Sequence, residues 1–126
     1  MCMYNEQGIE VAKRDIICYK VISLVATKKG VYCLRREFNH YCPIKGGLRK
    51  ASGFPKDDTE LSKLKNEGGF YAYLSKKYAM EHTKWSSNAL VLKCLIPKGV
   101  RYIKGMQNYY FSMNAIRAEY MIHGVM

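Results

Sequence analysis

Residues 89–96, Ala-Leu-Val-Leu-Lys-Cys-Leu-Ile, form the longest apolar run of the chain and stop at Pro97-Lys98-Gly99. A short run of branched aliphatic residues bounded by Pro and Gly reads as a strand of a buried sheet, because a helix needs a longer periodic pattern. Lys93 interrupts the run, and it falls well short of the roughly 20 apolar residues that cross a bilayer. No membrane partner is therefore expected. Residues 16–25, Ile-Ile-Cys-Tyr-Lys-Val-Ile-Ser-Leu-Val, have the same β-branched and aromatic character after a polar lead over 11–15, and read as the first long strand. Thr27-Lys28-Lys29-Gly30 then supplies a turn and Val31-Tyr32-Cys33-Leu34 a shorter return strand, so the two predict a hairpin.

Gly68-Gly69 opens a further short strand, Phe70-Tyr71-Ala72-Tyr73-Leu74. Ser75 follows as a natural helix cap, since its hydroxyl can accept a bond from an unpaired N–H of the first turn. The spacing predicts a helix over 76–84 with Tyr78, Ala79 and His82 on the face turned to the sheet. Residues 100–103 read as a short strand, and 115–125 as a last strand after a turn at Ser112-Met113-Asn114. Between 35 and 67 the periodicity dissolves among Pro43, Gly46, Gly47, Gly53 and Pro55, with a short helix near 59–66. This segment reads as a long, irregular, basic loop, and such loops in compact domains carry function. The expected architecture is a single small α+β domain over residues 1–126, mostly strands with one or two short helices.

With 126 residues and 48% hydrophobic content, the chain can close a core without staples. Five cysteines (Cys2, Cys18, Cys33, Cys42, Cys94) make an odd number without a CxxC pair, which predicts free thiols rather than disulfides or a zinc cage. The first residues lack the basic stretch and apolar run of a secretory leader, so a cytoplasmic location is expected. His40, His82 and His123 share no ligand spacing, and no metal site is expected. Cys33 and Cys42 flank His40, but no third group is placed to orient that pair as nucleophile and base. The 21 Lys and Arg against 10 Asp and Glu leave a net charge of +11. A surplus of that size attracts phosphates, whether of nucleotides, nucleic acid or lipid.

The order Gly69-Phe70-Tyr71-Ala72-Tyr73-Leu74-Ser75-Lys76-Lys77-Tyr78-Ala79 resembles the glycine, aromatic strand and Ser-Lys helix of the ADP-ribosyltransferase superfamily, in its poly(ADP-ribose) polymerase-like branch. Downstream, Ala118-Glu119-Tyr120-Met121-Ile122 is similar to the Glu-Tyr-aliphatic strand that carries the family's catalytic glutamate. The resemblance covers roughly the second half of the chain. It implies an ADP-ribosyltransferase-like fold, with NAD or ADP-ribose as ligand and no further cofactor. It also implies Tyr71 lining the nicotinamide pocket, Tyr78 as a second stacking aromatic and Glu119 as the catalytic carboxylate, with Tyr71 beside it in the reacting pair. Tyr19, Tyr73 and Ser75 join the ligand-binding set, and Lys20, Arg35, Arg36 or Arg49 would hold the pyrophosphate. A carboxylate at Glu119 would grip a ribose hydroxyl and stabilise the oxocarbenium-like charge that develops as nicotinamide leaves.

The family commonly places His or Arg on its first strand, where this chain has Cys18-Tyr19-Lys20-Val21. An ammonium holds a phosphate as a point charge but does not reproduce the guanidinium fork. That departure favours a descendant that binds an anionic nucleotide-type small molecule without turnover: NAD, ADP-ribose or a cyclic nucleotide signal. Such a capture protein would suit a phage-type antagonist of nucleotide signalling. The alternative is an active mono-ADP-ribosyltransferase using NAD. A further alternative is a basic nucleic-acid-binding protein in which Arg35, Arg36, Lys45, Arg49 and Lys50 track phosphates while Tyr32, Phe38 and Tyr41 stack bases. The 11 tyrosines and seven methionines leave room for a homodimer.

Overall fold

The computed structural model describes residues 3–28, 30–35, 40–43, 47–63, 68–84, 89–107 and 114–125, with the strand backbone alone at 4, 23–27, 30–35, 40–43 and 107. In chain order the elements are β1 (Met3–Tyr4), β2 (Glu10–Val11), β3 (Ile16–Thr27), β4 (Gly30–Arg35), β5 (His40–Pro43), β6 (Leu48–Lys50), α1 (Asp58–Lys63), β7 (Phe70–Tyr73), α2 (Lys76–Thr83), β8 (Ala89–Ile96), β9 (Arg101–Gln107), β10 (Ala115–Ala118) and β11 (Tyr120–His123). They make a small single domain, mainly antiparallel sheet with two short helices. The main path of the sheet runs β1-β9-β10-β7-β3-β8-β11-β6, while β2 adds to β9, β4 to β3 and β5 to β4.

The two apolar runs pair with each other at the centre, from Ile16 opposite Ile96 to Ser23 opposite Ala89. Alternation along this pair turns Cys18, Ile22, Cys94 and Ile96 inward, where each is at most 1% exposed. Ala72, Ile116, Ala118 and Met121 complete the same core. Full burial of a side chain the size of Ile or Met contributes about 1.5–3 kcal/mol. The hairpin closes between Thr27 and Gly30, where the turn chemistry placed it.

Both helices lie on the sheet. Helix α1 is opened by Asp57, whose carboxylate accepts from the Glu60 N–H at 2.8 Å, and it buries Leu61 against Phe54 and Ile103. Helix α2 packs on β3, β7 and β8 through the fully buried Ala79. Ser75 occupies its cap position in extended conformation, but the hydroxyl makes no capping bond. The sheet, rather than the cap, therefore holds that end of the helix.

Three stretches differ from the expectations. The segment over 35–67 contains β5 and β6 as well as the short helix; β6 is held by β11, with Leu48 opposite Ile122, Arg49 opposite Met121 and Lys50 opposite Tyr120. The strand expected over 100–103 continues to Gln107, paired with β10 and β1. The last strand is broken at Glu119. Ile116 and Ala118 face the core before the break and Met121 and His123 after it, so the parity of inward residues changes. One extra residue in a period of two does this, as a β-bulge does. The break lets the chain leave β7 and β9 and cross to β8 and β6.

Candidate functional site

Glu119 sits in the break between β10 and β11. Its N–H donates to the Arg101 carbonyl at 3.0 Å, and its own carbonyl accepts from the Ala51 N–H at 2.8 Å. The carboxylate is ion-paired with the Arg101 guanidinium, which also donates to the Lys56 carbonyl at 2.6 Å and lies 5.4 Å from the centre of the Phe54 ring. The side chains are 18% and 30% exposed. The one acid that the resemblance assigns to catalysis is thus already bound to a cation.

The aromatic residues of the expected site gather around β7 and α2. Tyr19 stands opposite Tyr73 across the β3–β7 pair. The Tyr73 hydroxyl lies 2.6 Å from His82 Nδ1, and the two rings meet edge to face at 5.7 Å, which fastens α2 to the sheet. Ser75 starts the helix, and Tyr78 is half-buried on it. Tyr71 faces Arg117 across the β7–β10 pair, 6.0 Å from its guanidinium, and packs with Met3 and Ala115. Tyr71 is 5% and Tyr73 1% exposed, which leaves little of either ring accessible to a ligand.

Arg117 itself is fully buried. It reaches both carboxylate oxygens of Glu6, at 2.7 Å from Nε and 3.2 Å from Nη2, and donates from Nη1 to the Gly68 carbonyl at 2.9 Å. The N-terminal segment covers this face of the sheet: beyond Glu6, the Gln7 N–H donates to the Lys104 carbonyl at 2.8 Å and the Ile9 N–H to Asp58 at 2.9 Å.

Lys20 projects from the opposite face to Tyr19. It is 5% exposed, with Nζ 3.2 Å from His123 Nε2 and 5.0 Å from the centre of the Phe70 ring. Phe70 and His123 meet edge to face at 4.9 Å. Burial pushes the neighbouring Cys18 thiol up, with Cys94 adding to the rise and Lys20 opposing it, so Cys18 is a neutral core residue. Arg49 is exposed on β6, beside Lys50, whose amine lies 6.0 Å from the Tyr120 ring. Arg36 and the side chain of Arg35 lie outside the described residues, as do Phe38, Lys45 and the side chains of Tyr32 and Tyr41. Tyr71, Tyr73, Ser75 and Tyr78 lie along β7 and α2, with Tyr19 opposite Tyr73, while Lys20 projects from the other face and Arg49 lies on β6 at the far end of the sheet path.

A separate feature escaped the sequence reading. An open basin of about 850 Å³ is lined by Lys13, Arg14, Lys98 and Lys104 together with Glu10 and Tyr102. Two turns carry most of these cations and are laced together: the Gly99 N–H donates to Ala12 O at 2.8 Å, the Ala12 N–H to Val100 O at 2.9 Å, and the Lys98 N–H to Asp15 Oδ1 at 2.9 Å. Gly99 adopts φ +91°, a conformation that favours glycine and sets the tight β8–β9 turn. Val11, which is exposed, and the half-buried Ile16 add apolar surface. Glu10 accepts from the Tyr102 hydroxyl at 2.7 Å, and the phenol is pushed up to about 12 by burial first, then by this hydrogen bond and the Glu10 charge. The signal available in the sequence was the pair of basic turns, Lys13-Arg14-Asp15 and Pro97-Lys98-Gly99, but nothing local placed them side by side.

Comparison with protein-family models, with curated proteins and with solved structures finds no match for this chain.

Proposed function

We propose that this chain is a binding protein for an anionic, nucleotide-type small molecule, built on an ADP-ribosyltransferase-like sheet, and that it captures its ligand without turning it over. The observation that carries the reading is the basin, where four cationic side chains stand against one carboxylate around about 850 Å³. That volume falls within the roughly 300–1,000 Å³ usual for small-molecule sites. Cations mounted on two laced turns lose less freedom on binding than cations on loose loops, so more of their attraction reaches the ligand. The net charge of +11 adds a longer-range pull that speeds encounter with phosphates.

Capture without turnover is supported by Glu119. A glutamate that stabilises a departing nicotinamide must keep its charge for the ribose and the developing cation. Here Arg101 takes that charge. The placement of β10, which ends just before Glu119, beside β7, with the β7–Ser75–α2 unit next to β3, supports the likeness in architecture.

Isothermal calorimetry at moderate salt against NAD, ADP-ribose and a cyclic dinucleotide, with mass analysis of the recovered ligand, tests the proposal. One of these ligands should saturate a single site and return intact, and the double variant Arg14→Ala, Lys98→Ala should weaken it by at least about tenfold, since charge-assisted contacts contribute about 1.5–3 kcal/mol each. Absence of heat with all three overturns the reading. Return of NAD as nicotinamide and ADP-ribose, lost in Glu119→Gln, establishes an NAD-cleaving enzyme instead.

A further inference from the structure

Four cations make the basin attractive to any phosphate, so discrimination among phosphate-bearing ligands falls to the remaining polar group, Glu10. A carboxylate set among Lys13, Arg14, Lys98 and Lys104 would ordinarily fold onto one of them. Among the described residues it forms no such ion pair and accepts instead from the Tyr102 hydroxyl at 2.7 Å. Glu10 and Tyr102 stand directly opposite each other in the β2–β9 register, so the backbone sets where this carboxylate is held. Glu10 is exposed. An ionised carboxylate offers about four lone-pair sites, and the tyrosine bond occupies one.

Resting on the binding reading above, we infer that Glu10, held in place by Tyr102, selects ligands that carry an N–H or O–H donor beside their phosphates, namely nucleotides with an exocyclic amino group on the base. A carboxylate accepts from a base amino group, as it does in reading base edges, and it repels a bare phosphate brought to the same spot. The apolar surface of Val11 and Ile16 offers a flat base something to cover and offers an inorganic polyphosphate nothing. Because Tyr102 keeps its proton throughout the neutral range, it stays a donor and fixes the carboxylate under all ordinary conditions.

The test compares ADP with inorganic pyrophosphate, ligands of similar charge that differ by the nucleoside, in calorimetry at one ionic strength. The unmodified protein should bind ADP at least about tenfold more tightly, the equivalent of one good hydrogen-bonded pair. Glu10→Gln keeps an oxygen for Tyr102 and removes the charge. It should tighten pyrophosphate by about three- to tenfold through lost repulsion and weaken ADP, so that the preference falls below about threefold. Tyr102→Phe, which keeps the ring and releases the carboxylate to fold onto a cation of the basin, should weaken ADP more than pyrophosphate. If Glu10→Gln shifts both ligands by the same factor, Glu10 is background charge only and the selection is overturned while the binding reading stands. If neither ligand binds the unmodified protein, the binding reading falls and the selection falls with it.

Discussion

Replacing Glu6 by alanine removes one half of the most buried ion pair among the described residues. The Arg117 side chain is 0% and the Glu6 side chain 8% exposed, and the two are joined by bonds of 2.7 Å and 3.2 Å. Without the carboxylate, the guanidinium keeps its bond to the Gly68 carbonyl and its place beside the Tyr71 ring but loses both bonds to Glu6. Removing one partner of a buried ion pair costs about 3–5 kcal/mol, far more than the intact pair contributes relative to apolar residues. Unfolding entropies of about 2.1 cal/mol/K per residue turn that loss into a fall in Tm of about 10–20 °C for a chain of 126 residues. Thermal and urea unfolding at neutral pH, followed by circular dichroism, would measure it. The double variant Glu6→Leu, Arg117→Met removes both charges and should recover at least half of the loss, because apolar replacement of a whole buried pair is often neutral. A fall of less than about 4 °C in Glu6→Ala, equivalent to about 1 kcal/mol, would mean that water reaches Arg117 and would refute the reasoning.

The alkaline limb of stability should depend on Tyr102. Its folded phenol is raised from 10.0 to about 12, so below pH 10 both states hold the proton and the contribution is complete; above pH 10 the unfolded chain ionises first, and the contribution is lost as pH rises towards 12. Tyr102→Phe should flatten this limb in urea unfolding measured from pH 8 to 12, and an unchanged slope would refute the assignment. Gly68→Ala should destabilise by about 1–3 kcal/mol or more, because the residue sits at φ +81° and an added Cβ would lie 1.9 Å from the Gly53 carbonyl oxygen. A melting temperature within about 2 °C of the parent would show that the two glycines separate freely.

The central pair of strands was legible because β3 and β8 carry their own signal: each is a run of branched apolar residues, and each buries one face against the same core. The flanking strands carry no such signal. Leu48, Arg49 and Lys50 are all exposed, and what makes them a strand is the backbone of β11, at least seventy residues away in sequence. The last strand misleads in a different way. Ile116-Arg117-Ala118-Glu119 alternates apolar and charged residues, which on a half-buried strand turns the charges to water. In the fold Arg117 is fully buried, because the N-terminal segment covers that face and Glu6 supplies its counter-charge.

The same dependence on distant neighbours decides what the candidate residues can do. A tyrosine on a short strand is legible as a possible clamp for a flat ring. Whether its faces are open depends on Met3 and Ala115 for Tyr71, and on helix α2 for Tyr73, and these arrive from other parts of the chain. A glutamate before Tyr-Met-Ile is legible as a possible catalytic acid, but its charge is taken by Arg101, which the β9–β10 register places beside it. Positive charge is dense in the sequence over 35–56. The basin instead draws on three sparse positions, at the 12–15 turn, the 97–99 turn and β9, joined by the bonds from Gly99 to Ala12 and from Lys98 to Asp15. Local density of lysine and arginine therefore does not tell which cations an antiparallel sheet brings together, because turns that are far apart in sequence meet at the same end. The more useful sign is a basic residue next to a Gly or Asp that fixes a turn, since that residue can be brought beside another such turn and held there by backbone hydrogen bonds.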